Sequence, residues 1–370
     1  MEFEGTKKVL FIASHRPNRS PSQRFRFEQY FNFLNENGIE SELSFIINEE
    51  DDNYLYRRGL FLRKLNILIR SILIRKSNLK NLKNFDVIFI QREALMIGSA
   101  YFEKKIKKFG IPIIYDFDDS IWILDTSEGN KKLEWLKKPD KTKEIISLSD
   151  LIIAGNKYLS EYALQFNKNV IIIPTTVDTV KFYPNHLMRN MDKIVIGWSG
   201  SITTIKHFNF LLPVLKKLME KYGEKIIFRV IGDESYINNE LGIRGEKWNS
   251  ETEVEVLNSF DIGIMPLPND KWAKGKCGLK GLTYMALEIP TIMSPVGVNA
   301  EIINNGVNGF LANDEHDWFN LICTLIENKA LREKIGKEAR KTVEDKYSVN
   351  ANKEKYLNAI RGILASRTKN

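Results

Sequence analysis

Residues 261–312 set lysines among glycines in a pattern that could bind an anion: DIGIMPLPNDKWAKGKCGLKGLTYMALEIPTIMSPVGVNAEIINNGVNGFLA. The pattern predicts a strand, a glycine- and lysine-rich loop, a helix, a second strand, a glycine-rich turn and another helix. The first N–H groups of a helix lack intrahelical partners, and the macrodipole adds positive potential there. Lys276 and Lys280 add two full charges at i, i+4 spacing, on one helical face. Phosphate or diphosphate suits such a loop. Gly275, Gly278 and Gly281 either let a ligand approach the backbone, with Cys277, Gly278 and Leu279 presenting N–H groups, or serve only tight packing. Cys277 is not read as a nucleophile, because no histidine base stands near it in sequence. Trp272 has two readings, stacking on a ring or filling a core or hinge.

Other polar residues close predicted strands, where ligands gather in open α/β sheets. Asp116-Phe117-Asp118-Asp119 is one such end. Its carboxylates could hold Mg²⁺, or they could cap a following helix. Arg92 and Glu93 end another strand, Asn156 follows a third, and Gly232 closes a fourth. Arg24 and Arg26 follow the first strand's loop and suit a phosphate on a second substrate.

These groups need a scaffold, and the alternation along the chain supplies one. Short apolar runs at residues 8–14, 41–46, 86–91, 111–116, 150–154 and 170–173 read as strands, with a helix at 23–38. The pattern restarts at 193–198, 226–232, 261–265 and 291–294, with a helix at 208–221. Alternating strands and helices predict an α/β protein with parallel sheets. The polar stretch 185–192 reads as a linker, and residues 349–366 as a final helix. No internal repeat is evident.

The 370 residues suit two or three domains of ordinary globular composition. A net charge of +8 favours anionic partners. Two cysteines and four separated histidines leave neither a disulfide framework nor a zinc pattern, so a reducing cytoplasm is expected. The first apolar run is too short for a signal-peptide core, and no run is long enough to span a membrane. Residues 54–83 stand apart, with nine Lys/Arg and no acid among many Leu and Ile. They read as an interfacial helix on an anionic membrane surface, or as a core helix with a solvated basic face.

Several segments together resemble the retaining glycosyltransferases of family 4, the group 1 transferases with a GT-B fold. They are SPSQRFRFEQYFNFL, DVIFIQREA, IPIIYDFDDSIW, AGNKYLSEYA, IPTTVDTVKFYP, IGWSGSITTIKH, VIGDES and the long segment from DIGIMPL to NGFLA. The resemblance covers nearly the whole chain and rests on the order and spacing of the pieces. It implies two Rossmann-like domains facing across a cleft. Residues 1–184 would bind the acceptor and residues 185–346 the sugar nucleotide. Residues 347–370 would form a helix crossing back to the first domain.

The resemblance further implies a nucleotide-diphosphate sugar donor, a glycan or lipid-linked glycan acceptor, and no divalent metal or other cofactor. Negative charge grows on the leaving diphosphate, and preorganised cations there lower the barrier. Lys206 resembles the family's diphosphate lysine, with Gly200, Ser201 and Thr203 as donors beside it. Trp198 stands where the family often has Arg, so Lys276 or Lys280 would supply that charge. The family's paired glutamates fall on Gly275 and Thr283, and Glu288 falls where relatives often carry Gly in a turn. Asp118 takes the position of a His that touches the donor sugar or the acceptor hydroxyl. Arg24, Arg92, Glu93 and Asn156 would line the acceptor side. Two alternatives stay open: a noncatalytic nucleotide- or glycan-binding member of the same fold, and a basic nucleic-acid-binding protein. The nucleic-acid reading lacks the expected motifs, so no nucleic-acid partner is expected. The expected location is the cytoplasm, peripheral at the inner face of the cell membrane.

Overall fold

The computed structural model describes residues 5–55, 57–124, 128–189 and 192–367. The chain divides into two compact units, Met1–Pro174 with Asn352–Asn370, and Thr175–Ala351. Residues 190 and 191 of the stretch read as a linker lie outside the described residues. The described part belongs to the second unit, where the backbone N–H of Asn185 donates to Asn258 Oδ1 at 2.8 Å.

The first unit is built on six strands: β1 (Lys7–Ile12), β2 (Ile39–Ser44), β3 (Val87–Gln91), β4 (Ile113–Phe117), β5 (Leu151–Ala154) and β6 (Val170–Ile172). Their order is β2-β1-β3-β4-β5-β6 and every pairing is parallel. β3, β4 and β5 are buried along their whole length. That explains why they appear in the sequence as continuous rather than alternating apolar runs.

The single helix expected at 23–38 is instead three short pieces, Pro21–Arg24, Glu28–Tyr30 and Phe31–Glu36. Residues 23–27 are all buried, and a helix lying on a surface buries only one stripe. The turn lets Phe27 reach Phe11, with ring centroids 5.3 Å apart, and aims Arg26 at Asp116. Both members of that ion pair are fully buried, and Arg26 Nη1 also donates to the carbonyl of Ile173 at 2.6 Å. Arg26 is therefore an internal strut, which corrects its reading as a phosphate ligand. The final helix, Val349–Arg367, joins this unit by stacking Tyr356 on Tyr30 at 4.5 Å between centroids.

The basic segment forms the Phe61–Asn81 helix. Its inward face is not its apolar one. Arg75 is buried and donates to the carbonyls of Ala94 and Ala13, each at 2.7 Å, and to Ser44 Oγ at 2.9 Å. Burial holds the Arg75 guanidinium down at about 9. Ser71 and Ile67 share that inward face, while several leucines and an isoleucine point outward. A core helix with a solvated basic face is thus corrected to a helix whose polar face is tied to the sheet.

The second unit has a five-stranded parallel sheet ordered β13-β12-β11-β7-β8. Its strands are β7 (Ile194–Ser199), β8 (Ile226–Ile231), β11 (Ile262–Met265), β12 (Thr291–Met293) and β13 (Phe310–Leu311). A short antiparallel ribbon, β9 (Ile237–Asn238) and β10 (Ile243–Arg244), follows β8. The chain steps from β7 outward to β8 and then returns to the other side at β11. The crevice beyond the C-terminal ends of β7 and β11 is therefore a topological switch point, where such sheets bind ligands. The helix expected at 208–221 is two, Ile205–Asn209 and Leu212–Tyr222. Pro213 lies in the first turn of the second, where its missing N–H costs nothing, and it cannot continue the first.

Among the described residues no helix is long and apolar enough to cross a membrane. Both cysteines are free and buried. The Arg26–Asp116 pair gives a stability test. Asp116→Asn leaves a buried guanidinium without its counter-charge, so unfolding in urea should show a loss of about 3–5 kcal/mol. A loss below about 1 kcal/mol would contradict the strut role.

Candidate anion-binding site

The C-terminal end of β7 is held by a tyrosine from the helix that follows the glycine- and lysine-rich loop. A Cβ on Gly263 of β11 would meet the Tyr284 ring at 2.5 Å, so the glycine leaves room for that ring. Tyr284 Oη then accepts from the backbone N–H of Ser199 at 2.7 Å. Burial pushes the Tyr284 hydroxyl well above its usual range, so it stays protonated. Gly232, at φ +114°, lies so close that a Cβ would stand 2.1 Å from the carbonyl oxygen of Gly200. Its role in this structure is that close approach between the two strand ends.

Residues 200–204 turn sharply into the Ile205–Asn209 helix. Thr204 Oγ1 accepts from the backbone N–H of Ser201 at 2.9 Å, and the hydroxyls of Ser201 and Thr203 lie 2.9 Å apart. Lys206 is exposed on the first turn of the helix.

On the other side of the crevice, Asp270 caps the Lys271–Lys274 helix by accepting from the N–H of Ala273 at 2.7 Å. Gly278 then takes a left-handed conformation, φ +71°, and serves as N-cap of the Leu279–Ala286 helix. Only glycine adopts that backbone at little cost. It also has no room for a side chain, since a Cβ would meet Ile302 at 2.4 Å. Leu279 and Lys280 thus open a helix whose first N–H groups face its N-terminal end.

Two lysines rest on two indole rings. Lys280 Nζ is 4.2 Å from the centroid of the wholly buried Trp198, and Lys276 Nζ is 5.0 Å from that of Trp272. Such contacts stabilise a cation where water is scarce. Lys280 Nζ also lies 3.5 Å from Thr204 Oγ1. Burial first, and then the Lys276 charge, push the Lys280 ammonium down to about 7. The neighbouring His207 is pushed down to about 4 by burial and by Lys280, Lys276 and Lys206. Three of the expected cations therefore converge around one neutral imidazole, at a helix N-terminus and a switch point. This field favours a multiply charged anion.

The other predicted donor-side residues divide. Ser201 and Thr203 are exposed on the loop. Cys277 is buried, with Sγ 3.8 Å from the carbonyl of Gly275. Thr283 is buried and spends its hydroxyl on the carbonyl of Lys280 at 2.7 Å. Glu288 has φ +55°, the backbone of a turn residue, as its place in the resemblance implied. Thr204, His207, Tyr284 and Asn299 escaped the sequence reading. Asn299 is fully buried, donates to the carbonyl of Ser294 at 3.1 Å and leaves its Oδ1 without a protein partner. All four lie inside segments quoted from the sequence, but their partners are distant in sequence and only the fold reveals their roles.

In the first unit, Arg92, at φ +61°, donates from Nε to Asp118 Oδ1 at 2.9 Å and pairs with Asp119 at 3.2 Å. Asp118 caps no helix among the described residues, which corrects the capping alternative. Asp116 faces the Arg26 guanidinium, while Asp118 and Asp119 both turn to Nη2 of Arg92. Glu93 pairs with the buried Lys141 at 3.2 Å, and burial raises its pKa. Asn156 accepts from the N–H of Leu159 at 2.9 Å as the N-cap of the Lys157–Ala163 helix. Arg24 is buried with its guanidinium 4.9 Å from the Phe25 ring centroid.

Residues 193–328 match the family described as glycosyl transferases group 1. An uncharacterised glycosyltransferase of Methanocaldococcus jannaschii is 26% identical over 170 residues, 42% of each chain. The capsular polysaccharide biosynthesis glycosyltransferase CapM of Staphylococcus aureus is 28% identical over 172 residues, 42% of this chain and 43% of that one. The alignments thus span less than half the length of these two curated relatives. Sucrose-phosphate synthase from Thermosynechococcus elongatus shares the fold with TM-score 0.71 at 13% identity, over 97% of this chain and all of that one. HepE of Anabaena, solved with UDP and glucose, does so with TM-score 0.63 at 14% identity, over 96% and 99%.

Two predictions follow from Lys280. Its lowered pKa means that the unfolded chain holds a proton there that the folded chain releases between about pH 7 and 10.5. Stability from this group therefore rises with pH across that window, and chemical denaturation of Lys280→Met should lack the rise. An anion at the site restores the proton. Titration calorimetry with UDP at pH 8, in buffers of different ionisation enthalpy, should therefore show proton uptake in the wild type and much less in Lys280→Met.

The second unit therefore matches the group 1 glycosyl transferases over residues 193–328, and the chain shares the fold of two Rossmann-like units with GT-B glycosyltransferase structures.

Proposed function

We propose that this protein transfers a sugar from a nucleoside-diphosphate sugar to a glycan or lipid-linked glycan, with retention of anomeric configuration, in surface polysaccharide or glycoconjugate synthesis. The observation that carries this reading is the desolvated ammonium of Lys280, fixed on Trp198 beside Lys276 at the start of the Leu279–Ala286 helix. In the reaction the bond from the sugar's anomeric carbon to the diphosphate oxygen breaks, and the electron pair leaves with the diphosphate. The acceptor hydroxyl forms the new bond and gives up its proton. Charge develops on the diphosphate, so cations already in place stabilise the transition state more than the ground state.

Lys206, Lys276 and Lys280 supply that charge in this reading, with Gly200, Ser201 and Thr203 donating from the opposite loop. Gly232, Cys277, Gly278, Leu279 and Thr283 shape the donor side. Asp118 touches the donor sugar or the acceptor hydroxyl, and Arg24, Arg92, Glu93 and Asn156 serve the acceptor in the first unit. The three lysines do the work of a divalent metal, so activity should survive EDTA. The work is placed in the cytoplasm, at the inner face of the cell membrane. HepE was solved with UDP and glucose, which makes UDP the first nucleotide to try.

A second reading, a noncatalytic binder of nucleotide or glycan, has one observation behind it. Gly275 and Thr283 occupy the positions of the family's glutamate pair, and the Thr283 hydroxyl is spent inside its own helix. Turnover separates the two readings. The purified chain is screened against UDP, GDP, ADP and their sugars by thermal shift, since a ligand of the native state raises Tm. A nucleotide that shifts Tm is then supplied as its labelled sugar, and product is counted. Lys280→Met should weaken diphosphate binding about 10- to 100-fold, the worth of one charge-assisted hydrogen bond. Binding without turnover would favour the noncatalytic reading, and no shift with any nucleotide would count against both.

A further inference from the structure

We propose that the outward face of the Phe61–Asn81 helix docks this chain on an anionic lipid surface, a reading independent of the transferase reaction. The helix is inside-out by ordinary standards. Its inward face carries Arg75, Ser71 and Ile67. Its outward face carries Phe61, Leu62, Leu65, Ile69 and Leu73, a run at i, i+4 intervals along one side. Leu62 is 75% exposed and Leu73 59%. Isolated apolar side chains on a surface are ordinary, but a continuous stripe along more than three helical turns marks something it binds.

The charges around the stripe select the occupant. Lys76, Lys80 and Lys83 are exposed at the C-terminal end of the stripe, and Arg63 and Arg70 flank it. Some of this charge is compensated, because Arg63 pairs with Glu50 at 3.3 Å and Arg70 pairs with Asp51. Residues 57–83 themselves contain no acid. A second aromatic anchor is tied to the helix. Lys64 Nζ donates to Asn130 Oδ1 at 2.5 Å, at the start of the Glu128–Leu136 segment. That segment carries Trp135, 77% exposed, with Lys131 and Lys132 before it and Lys137 and Lys138 after it. Tryptophan beside lysine is the composition that settles at a bilayer interface, with the ring among headgroups and the charge at phosphate level. A second copy of the chain fits less well, because a two-fold contact would set each lysine row against its own image. An anionic bilayer satisfies both the apolar stripe and its basic border.

The test is flotation of the full chain with phosphatidylcholine vesicles, with and without phosphatidylglycerol. Wild type should float with the anionic vesicles and stay behind with the neutral ones. Leu62→Ser with Leu73→Ser should weaken anionic binding about ten-fold. Lys76→Gln with Lys80→Gln should weaken it about thirty-fold. The melting temperature of each variant should match wild type, because the altered side chains face outward. Wild type that ignores anionic vesicles, that binds neutral ones equally, or whose binding survives both double substitutions overturns the proposal. So does a wild-type dimer in light scattering that Leu62→Ser with Leu73→Ser converts to a monomer.

Discussion

The contact between the Lys280 ammonium and the buried Trp198 ring is the interaction around which the second unit's site is organised. Trp198 is rooted in β7 and cannot move without the sheet, so the charge it carries is fixed relative to the strand ends. The surrounding structure serves this arrangement. Gly263 makes way for Tyr284, Tyr284 pins Ser199, and Gly232 allows the β8 end to lie against Gly200. His207 stays neutral, held so by burial and by the charges of Lys280, Lys276 and Lys206, and adds no positive charge beside them. A site that lowers the pKa of its own cation holds unfavourable electrostatic energy. An incoming anion relieves it, and differential binding of that kind is what phosphate-leaving chemistry requires.

The first unit treats its charges in the opposite way. Arg26 is neutralised by Asp116, Arg92 by Asp118 and Asp119, and Lys141 by Glu93. These are structural or orienting contacts, each with a carboxylate of opposite sign. Net charge alone hides the contrast. A chain of +8 could spread its excess evenly, yet the cations near the β7 and β11 ends are grouped with like charges, while those near the β3 and β4 ends are paired.

Much of the scaffold was legible. Buried parallel strands are continuous apolar runs, so most strands could be placed to within a residue or two. The glycine- and lysine-rich loop was legible because left-handed backbone at Gly278 and charge at Lys276 and Lys280 depend on residue type and local spacing. Local spacing misled where burial was not one-sided. Residues 23–27 are buried in succession and break the helix that their periodicity suggested. Thr204, His207, Tyr284 and Asn299 lie in segments that the sequence singled out, but their roles come from the partners that the fold brings to them.

The sequence by itself determined the alternation of strands and helices, the resemblance to group 1 glycosyltransferases and the chemical character of the donor-like loop. Each depends on residue type and on neighbours a few positions away. Tertiary structure alone decided which charges are compensated. It sent Arg75 inward and Leu62 outward on one helix, and it put Lys280 on Trp198, far away in sequence. Desolvation and ion pairing act through space, and a chain read in one dimension carries no measure of either.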